Sequence, residues 1–479
     1  MSKKSSILGS SMFNFIANIA TKNVKLTDTT TDESVKSDTD KEHMELSDEE
    51  SIRKTELLAS NFRMDLRLSK ESDSEGNSLH SEQILSVTKE EIFDMKKIEE
   101  IDEIQSKFEF KLLSKAEKEF ATESHKFENI TKGCKWSPDG TCLLTNSEDK
   151  TLRIFDLNNE MLNPEEQTVN EISPSLKMTE PEIIYDYAWY PYMNSHDPLT
   201  ACIFSTCKDN PVHLFDAYTG KIRCSYKGYN HLDELESAYS IAFDSTASKI
   251  YCGYNKCIKI FDIATPGKNF QDIKLKDDQY KMPGIISCIA FSKAQNGIYA
   301  AGSYTKFIGI FIETTNEPVC LIQTHRGGLT HLMFSSDGNR LYSGARKDSD
   351  IYCWDIRNPG KLLQIFKRDV TSNQRIYFDL YKDCKYLASG NNNGSVSFWN
   401  GQDFDISQED EPLLYSLNAH NDCVNGLSFH PSLNLMATTS GERKNFNFMF
   451  DNNSSDDESD TETQVKNSEI SLKIWKHFL

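Results

Sequence analysis

The sequence predicts an all-β fold, a seven-bladed β-propeller that occupies residues 119–479. Two series of aromatic residues recur in this part of the chain, and each series has seven members. The first series closes an apolar run in each repeat: Trp136, Trp189, Phe243, Phe291, Phe334, Phe378 and Phe429. The second series lies in strands of alternating polarity: Phe155, Phe215, Phe261, Phe311, Trp354, Trp399 and Trp475. We call these recurring aromatic residues the first and second marks of each repeat. Two marks in each of seven repeats predict seven sheets arranged in a ring.

The spacing and the turns of these repeats indicate the kind of propeller. Members of the first series follow one another at intervals of 43–54 residues. This is close to the WD-repeat period of about 40–45 residues once loop insertions are allowed for. Turn-forming residues follow two of the marks, as Ser-Pro-Asp-Gly at 137–140 and Ser-Ser-Asp-Gly at 335–338. The sequence therefore predicts a WD-repeat β-propeller.

The last repeat raises the question of how the ring closes. It ends at Leu479 soon after its second aromatic mark, so we expect residues 119–128 to supply its outer strand and cover the sheet edge. Its two marks are 46 residues apart, against 18–26 in the other repeats. The additional residues include an acidic insertion at 442–470, which we expect from its composition to be a disordered loop.

Residues 1–118 differ from the propeller in composition. They are rich in Ser, Thr, Asp, Glu and Lys, and the first 120 residues carry a net charge of −8. Such a segment buries too little apolar area to order itself. An apolar cluster from Ile7 to Ile19 is either a short partner-binding helix or a chance run. Apolar residues at spacings of three and four predict an amphipathic helix over residues 90–113.

Charge and cysteine content exclude several classes of protein. The formal net charge of −20 argues against a chain that coats nucleic acid over its whole surface. No run of 18 apolar residues occurs, so we expect no membrane partner. All 12 cysteines lie between Cys134 and Cys423, and no Cys-x-x-Cys pair is present. We expect buried, reduced thiols in an intracellular protein that has no metal site and no cofactor.

The sequence offers no set of residues for catalysis. It lacks a zinc-protease motif, a glycine-rich phosphate loop and a serine-hydrolase motif, so we expect the protein not to be an enzyme. His325 and His420 precede inner strands, where WD repeats commonly place a histidine. In the fifth repeat we expect a structural hydrogen-bond network of four residues: His325, Ser343, Asp348 and Trp354.

Basic residues recur where the chain should emerge on one face of the propeller. In every blade, the turn between the second and third strands opens on the same face as the loop that enters the blade. We expect nine residues there to bind RNA: Lys256, Tyr304, Lys306, Arg326, Arg346, Lys347, Lys367, Arg368 and Arg375. Clustered cations on an acidic protein indicate a surface that binds a polyanion. The alternative is that these residues are basic only because lysine and arginine are common in exposed turns. Tyr304 and Tyr377 are suited either to base stacking or to packing.

Several stretches outside the repeat pattern resemble one family, the telomerase Cajal body proteins. They include Gly-Cys-Lys-Trp at 133–136, Ile-Tyr-Asp-Tyr at 184–187 and Ser-Gly-Ala-Arg-Lys-Asp at 343–348. Others lie at 229–235, 284–288, 302–304, 338–340, 373–380 and 430–433. The resemblance implies an RNA-binding scaffold that recognises the CAB-box loop of small Cajal-body RNAs, and of telomerase RNA where present. It also implies that the protein localises these ribonucleoproteins to Cajal bodies and so supports telomere maintenance.

The resemblance also implies partners and a location. We expect small Cajal-body ribonucleoproteins as partners, the cytosolic chaperonin for folding, and a nuclear location with a cytoplasmic fraction. The position and composition of the acidic insertion leave two alternatives. It is either a solvated loop without a role, or it competes with RNA for the cations, in which case phosphorylation at Ser455 or Ser459 would strengthen that competition. The alternative function is a protein–protein adaptor, such as a ubiquitin-ligase substrate receptor or an assembly hub, which binds no RNA directly.

Overall fold

The computed structural model describes residues 108–121, 129–158, 169–275, 282–294, 297–323, 325–402, 410–443 and 469–479. Three sequence predictions fall outside these residues: the disorder of residues 1–107, the cluster from Ile7 to Ile19, and most of the acidic insertion. Ser455 and Ser459 lie in that insertion.

The chain begins its described part with strand β1 (Glu109–Ala116) and one turn of 3-10 helix (Lys118–Phe120). Blade one contains β2 (Thr131–Trp136), β3 (Cys142–Ser147), β4 (Thr151–Asp156) and β6 (Leu176–Thr179). The two-residue strand β5 (Asn170–Glu171) precedes β6 in the chain but pairs with β1. Blade two contains β7 (Ile184–Trp189), β8 (Cys202–Cys207), β9 (Val212–Asp216) and β10 (Ile222–Tyr226). Blade three contains β11 (Ser240–Phe243), β12 (Lys249–Gly253), β13 (Cys257–Asp262) and β14 (Gln271–Lys274).

The remaining blades have the same order. Blade four contains β15 (Ile286–Phe291), β16 (Ile298–Ser303), β17 (Phe307–Ile312) and β18 (Pro318–Gln323). Blade five contains β19 (Leu329–Phe334), β20 (Arg340–Ala345), β21 (Asp350–Asp355) and β22 (Lys361–Lys367). Blade six contains β23 (Phe378–Tyr381), β24 (Tyr386–Gly390), β25 (Ser395–Asn400) and β26 (Tyr415–Asn418). Blade seven contains β27 (Val424–Phe429), β28 (Leu435–Ser440) and β29 (Leu472–Phe478).

Seven sheets confirm the predicted seven-bladed propeller, and their strands pair antiparallel except for the short parallel pair of β1 with β5. In each blade the first strand is innermost, and inner strands of neighbouring blades pack against each other, with β2 against β27 where the ring closes. Apolar side chains fill the spaces between adjacent blades, which buries the apolar face of each sheet. Strands in a blade alternate in direction, so the turns between second and third strands share one face with the loops that enter the blades. We call this the entry face.

The ring closes with a different segment from the one we predicted. The outer strand of blade seven is β1, which pairs antiparallel with β29, from Glu109 opposite Phe478 to Ala116 opposite Leu472. It lies about ten residues before the expected 119–128, so the propeller begins before the predicted boundary at 119. Leu113 and Ala116 are buried in the core between blades seven and one. Burial of this apolar pair holds β1 beside β29. Glu119, which belongs to the segment that we expected to pair with β29, contacts Arg153 of β4.

Two local predictions from periodicity are also wrong. The predicted amphipathic helix includes residues 109–113, but they belong to β1, because pairing with β29 determines their conformation. Phe378 lies at the start of β23 and not at its end, where the first aromatic mark lies in other blades. Leu380 occupies the equivalent position instead, since it lies opposite Leu387, whose other neighbour is Trp399.

Blade five contains the structural hydrogen-bond network described from the sequence. His325 Nδ1 lies 2.9 Å from Asp348 Oδ2, and His325 Nε2 lies 2.8 Å from Ser343 Oγ. Trp354 Nε1 donates to the same Ser343 Oγ at 2.9 Å. All four side chains are buried, so the network joins the entry loop to β20 and β21 with its polar groups satisfied. Blade seven repeats the arrangement, with His420 and Trp475 both bonded to Thr438 Oγ1.

In the described residues of blades one to three this histidine–tryptophan network is absent, and a contact between a carboxylate and the third strand takes its place. A polar residue lies two positions before the second aromatic mark, and each has a carboxylate partner. Arg153 Nη2 lies 2.5 Å from Asp149, and Lys259 Nζ lies 2.5 Å from Glu236. His213 Nδ1 lies 2.7 Å from Glu180. Each pair ties the third strand to the entry face of its blade.

We expect Trp354→Ala to lower the free energy of unfolding by about 3–5 kcal/mol, because it removes a fully buried indole. The side chain is 2% exposed, and its removal also leaves Ser343 without a donor. Urea denaturation followed by circular dichroism measures the effect. Lys361→Ala, at an exposed position of β22, is the control and should change stability by less than about 0.5 kcal/mol. Wild-type stability in Trp354→Ala would show that the indole is not part of the core.

Candidate nucleic-acid interface

Lysine occupies a left-handed backbone conformation in four turns of the entry face. φ is 63° at Lys150, 63° at Lys256, 73° at Lys306 and 48° at Lys347. Glycine, asparagine and aspartate adopt this conformation at the lowest cost. The geometry of the turn therefore does not account for the choice of lysine. It does direct the side chains outwards, and Lys256, Lys306 and Lys347 are exposed.

The loop that enters blade five fixes the positions of Tyr304 and Arg346. A Cβ atom at Gly327 would overlap the carbonyl group of Arg346, and one at Gly328 would lie 2.7 Å from the carbonyl oxygen of Tyr304. Only glycine permits so close a backbone approach. Arg346 N also donates to the Gly328 carbonyl at 3.0 Å. Two consecutive glycines thus hold the turns of blades four and five against one loop.

A cavity of about 700 Å³ opens where these turns meet, at the entry-face end of the central channel. We call it the mouth cavity. Each blade contributes at least one side chain to its lining. In blade order these are Lys132, Tyr185, Tyr239, Tyr304, Arg346, Arg375 and Arg443. The cavity therefore exists only because the seven blades form a complete ring.

Aromatic rings and a guanidinium group form two flat surfaces in the mouth cavity. The ring centroids of Tyr185 and Tyr239 are 5.0 Å apart, and their planes are inclined by 30°. The guanidinium carbon of Arg346 lies 3.9 Å from the ring centroid of Tyr304. Burial raises the pKa of Tyr185 and of Tyr239, so both phenols are neutral at physiological pH. Tyrosine and arginine planes of this kind are what unpaired nucleic-acid bases stack on.

Among the described residues, some cations of the mouth cavity are paired with a carboxylate and others are not. Lys132 Nζ lies 2.7 Å from Glu148, which also pairs with Arg443. Within the described part of the chain, Arg346 and Lys347 have no carboxylate partner, and Arg346 Nε has no hydrogen-bond acceptor. A buried donor without an acceptor is costly unless a ligand supplies one. Arg346 and Lys347 are thus the cations best placed to receive an external anion.

Arg375 forms the floor of the mouth cavity by crossing the channel. Its Nη2 donates to the carbonyl of Ser287 in blade four at 2.9 Å, and its Nη1 lies 3.5 Å from Asp186 in blade two. Lys135 of blade one approaches the same carboxylate at 3.5 Å. Burial alone would raise the pKa of Asp186, but Lys135 and Arg375 lower it overall. Asp186 is therefore ionised and joins these blades across the channel.

The structure corrects some of the predicted interface and leaves other parts of it in place. Arg368 is buried, and it donates to the Ile376 carbonyl and to Ser389 Oγ, both at 3.1 Å. It is therefore a core residue, because the chain turns inwards after β22. Lys367 is exposed but pairs with Asp410 at the outer edge of its blade. Tyr377 is 7% exposed and packs across the channel against Gly133, so packing is its main role.

The other predicted residues divide between the cavity and the surface around it. Tyr304, Arg346, Lys347 and Arg375 line the mouth cavity together. Three more residues are exposed on the entry face without lining the cavity: Lys256, Lys306 and Arg326. The predicted set thus contains a central group and a surrounding basic group.

Sequence reasoning missed several lining residues. Tyr185 is the second residue of inner strand β7, and Tyr239 directly precedes inner strand β11. An aromatic residue at such a position is usually interpreted as part of the core. Lys132 and Arg443 were not distinguished from other surface cations. Tyr185 lies in the stretch Ile-Tyr-Asp-Tyr, which does not follow the repeat pattern, and that departure was the available signal. Among the described residues, one group that can hold a metal exists, Glu180, Cys207 and His213, and none of the three lines the cavity.

Comparison with known proteins identifies the repeats and the similar chains. The family model "WD domain, G-beta repeat" matches residues 118–156, 316–355 and 411–444. Telomerase Cajal body protein 1 of Mesocricetus auratus is 46% identical over 318 residues, which cover 66% of this chain and 59% of that protein. The Homo sapiens protein of the same name is 45% identical over 334 residues, which cover 70% and 60%. The Drosophila melanogaster homolog is 35% identical over 331 residues, which cover 67% and 58%.

These comparisons confirm the resemblance found in the sequence. The chain spans about six-tenths of the length of each of these relatives. Among the described residues, no helix is long and apolar enough to cross a membrane.

Below the mouth cavity, His331 of β19 makes stability depend on pH. Burial and the charges of Arg375 and Lys135 lower the pKa of His331 to about 3. The unfolded chain binds a proton to histidine below a pH of about 6.5, whereas the folded protein does not until about pH 3. Stability should therefore fall on acidification through this window, by about 1–2 kcal/mol at pH 5 from this residue.

Denaturation of the wild type and of His331→Phe at pH 7.5 and pH 5 tests this effect. We expect a smaller loss of stability at pH 5 in the variant, because phenylalanine cannot take up a proton. His196→Phe, in the exposed loop between β7 and β8, is the control and should retain the full loss. An equal loss in all three proteins would show that His331 does not contribute.

Proposed function

Since the chain is a WD-repeat propeller protein similar to the telomerase Cajal body proteins, we propose that it is an RNA-binding scaffold. It recognises the CAB-box loop of small Cajal-body RNAs, and of telomerase RNA where present, and localises these ribonucleoproteins to Cajal bodies. The observation that carries this proposal is the mouth cavity, where stacking surfaces lie beside two cations that have no carboxylate partner among the described residues.

The chemistry of the mouth cavity suits an RNA loop better than a duplex. A loop can turn one or two unstacked bases into a cavity, whereas bases in an A-form helix are stacked and paired. The tyrosine pair and the Tyr304–Arg346 pair offer flat partners for such bases. Lys256, Lys306 and Arg326 surround the cavity on the entry face and suit the phosphates on either side of the inserted bases. The proposed contacts therefore combine base stacking inside the cavity with phosphate contacts around it.

A scaffold needs binding surfaces and no reaction chemistry. The two histidines considered from the sequence are buried in structural networks, where burial lowers the pKa of His325 and of His420. We therefore propose that the protein is not an enzyme. The ribonucleoprotein partners, the chaperonin and a nuclear location with a cytoplasmic fraction are parts of the same proposal, and the role of the acidic insertion stays a prediction.

A protein–protein adaptor is the second candidate function. One observation favours it: Tyr192, Leu199 and Tyr218 of blade two are 59%, 83% and 53% exposed, and they lie away from the entry face. Exposed apolar groups of this kind mark interaction surfaces when they are contiguous. The two functions are compatible, because a scaffold can hold RNA on one face and a protein on the other.

Replacing both Arg346 and Lys347 by alanine should weaken RNA binding at least about tenfold and reduce its dependence on salt. If about four phosphates are neutralised, log affinity should fall with log salt at a slope of about −3 for the wild type. The slope should become shallower by roughly 0.7 for each phosphate that the variant no longer neutralises. Fluorescence anisotropy with a CAB-box loop oligonucleotide at several salt concentrations measures both quantities.

Arg357→Ala is the matched control, because Arg357 is an exposed arginine in a turn of the opposite face. It should leave affinity and slope unchanged. Wild-type affinity and slope in the double variant would exclude the mouth cavity as the RNA site.

Replacing Tyr185 or Tyr239 by alanine should weaken RNA binding by about 1–3 kcal/mol, the contribution of one stacked base. The salt slope should stay as in the wild type, because every cation that binds a phosphate is retained. Phenylalanine at either position keeps the ring and should restore affinity. If the phenylalanine variants bind as weakly as the alanine variants, the hydroxyl groups and not the rings carry the interaction.

A further inference from the structure

Blade two contains a buried group of three side chains that the proposed function does not use. Glu180 lies in the loop that enters the blade, Cys207 ends β8, and His213 lies in β9. A carboxylate oxygen, the sulfur and a ring nitrogen of these residues all lie within 4.8 Å of one another. Glu180 Oε2 is 2.7 Å from His213 Nδ1 and 3.4 Å from Cys207 Sγ. All three residues are buried.

Neighbouring blades fill the equivalent position with a permanent cation. In blade three, Lys259 lies 2.5 Å from Glu236 and also donates to the carbonyl of Tyr229 at 2.6 Å. In blade one, Arg153 pairs with both Asp149 and Glu119. Each of these cations neutralises a carboxylate by itself. In blade two an imidazole and a thiol, which are both metal ligands, stand in place of that cation.

Two buried oxygens beside this group lack hydrogen-bond partners among the described residues. One is Glu180 Oε1, on a side chain that is fully buried. The other is the hydroxyl of Ser205, which is also fully buried. Ser205 lies directly opposite His213 in the pairing of β8 with β9, so its side chain is on the same face of the sheet. Buried polar groups are rarely left unpaired in folded proteins.

We propose that Glu180, Cys207 and His213 bind a zinc ion within blade two. Carboxylate oxygen, thiolate sulfur and imidazole nitrogen are the three ligand types that zinc takes in proteins. A carboxylate, a thiolate and a neutral imidazole around a doubly charged ion also give a complex without net charge, which suits a buried position. Binding releases the thiol proton and requires His213 to present a ring nitrogen that carries no proton. A water molecule would complete the tetrahedral coordination, and the unpaired Ser205 Oγ, opposite His213 in the sheet, would be its hydrogen-bond partner.

This site would serve stability and not RNA recognition. It joins the loop that enters blade two to β8 and β9, the same connection that ion pairs make in blades one and three. The ion would bind as the blade folds, because all of its ligands are buried in the finished structure. Sequence spacing does not reveal the site, because its three ligands come from a loop and two strands and form no compact motif.

Metal analysis of the full-length chain tests the proposal. Protein purified without chelator should contain one zinc ion per chain by inductively coupled plasma mass spectrometry. After unfolding, chelation and refolding with cobalt(II), it should show the visible absorption of tetrahedral cobalt and a thiolate-to-cobalt charge-transfer band. Cys207→Ser should abolish the band and lower the zinc content to background. Cys252→Ser removes an equally buried thiol of β12 outside the site, and it should retain both signals.

The outcomes separate a metal site from a plain hydrogen-bonded pair. If the wild type contains no stoichiometric zinc and shows no thiolate band with cobalt, the proposal is overturned, whatever the variants do. Retention of the band in Cys207→Ser would also overturn it. If Cys207→Ser does not fold, His213→Gln provides the second variant, and it should change the visible cobalt spectrum while the thiolate band persists. RNA binding by the mouth cavity does not depend on any of these results.

Discussion

The pairing of β1 with β29 is the constraint on which the rest of the molecule depends. Blade seven receives its outer strand from residues that precede blade one, so the two ends of the domain are held in one sheet. Phe108 enters the core between blades six and seven, and Leu113 enters the core between blades seven and one. This closure covers an edge that would otherwise present unpaired backbone groups. Because every blade contributes to the mouth cavity, closing the ring also assembles the site.

Charged groups across the central channel add a second level of organisation. Asp186 accepts hydrogen bonds from the backbone of Tyr187 and Ile241, and it attracts Lys135 and Arg375. Blades one, two, three and six therefore meet at one carboxylate, while Arg375 continues to blade four. A network satisfied in this way holds the floor of the cavity in one arrangement. Arg346 and Lys347 above it have no carboxylate partner within the described part of the chain, and this contrast separates structural cations from binding cations.

The sequence was sufficient to predict what local patterns determine. Two aromatic marks in each repeat indicated the number of blades, and turn position placed Tyr304, Arg346 and Lys347 on one face. Features that arise from distant parts of the chain were not predictable in this way. The closing strand β1 is identified by its partner β29 and not by its own periodicity. Arg368 follows an exposed lysine in the chain, yet it points into the core because the loop turns inwards.

The aromatic surfaces of the site illustrate the same limit. Tyr185 and Tyr239 are 54 residues apart in the chain. Only closure of the propeller brings the centroids of their side-chain rings to within 5.0 Å of each other. From the sequence each was one more aromatic residue near an inner strand. In the closed propeller they form one surface beside Tyr304 and Arg346. The site is thus a property of the assembled ring, and no single repeat contains it.

If RNA bases enter the mouth cavity and stack there, they lie against its tyrosine rings. Ultraviolet crosslinking of the RNA-bound protein, followed by mass spectrometry of the crosslinked peptides, detects this contact. We expect crosslinks at Tyr185, Tyr239 or Tyr304. We expect none at Tyr192 and Tyr218, which are more than half exposed but lie away from the entry face. Crosslinks at Tyr192 or Tyr218 with none in the mouth cavity would show that RNA binds elsewhere on the propeller.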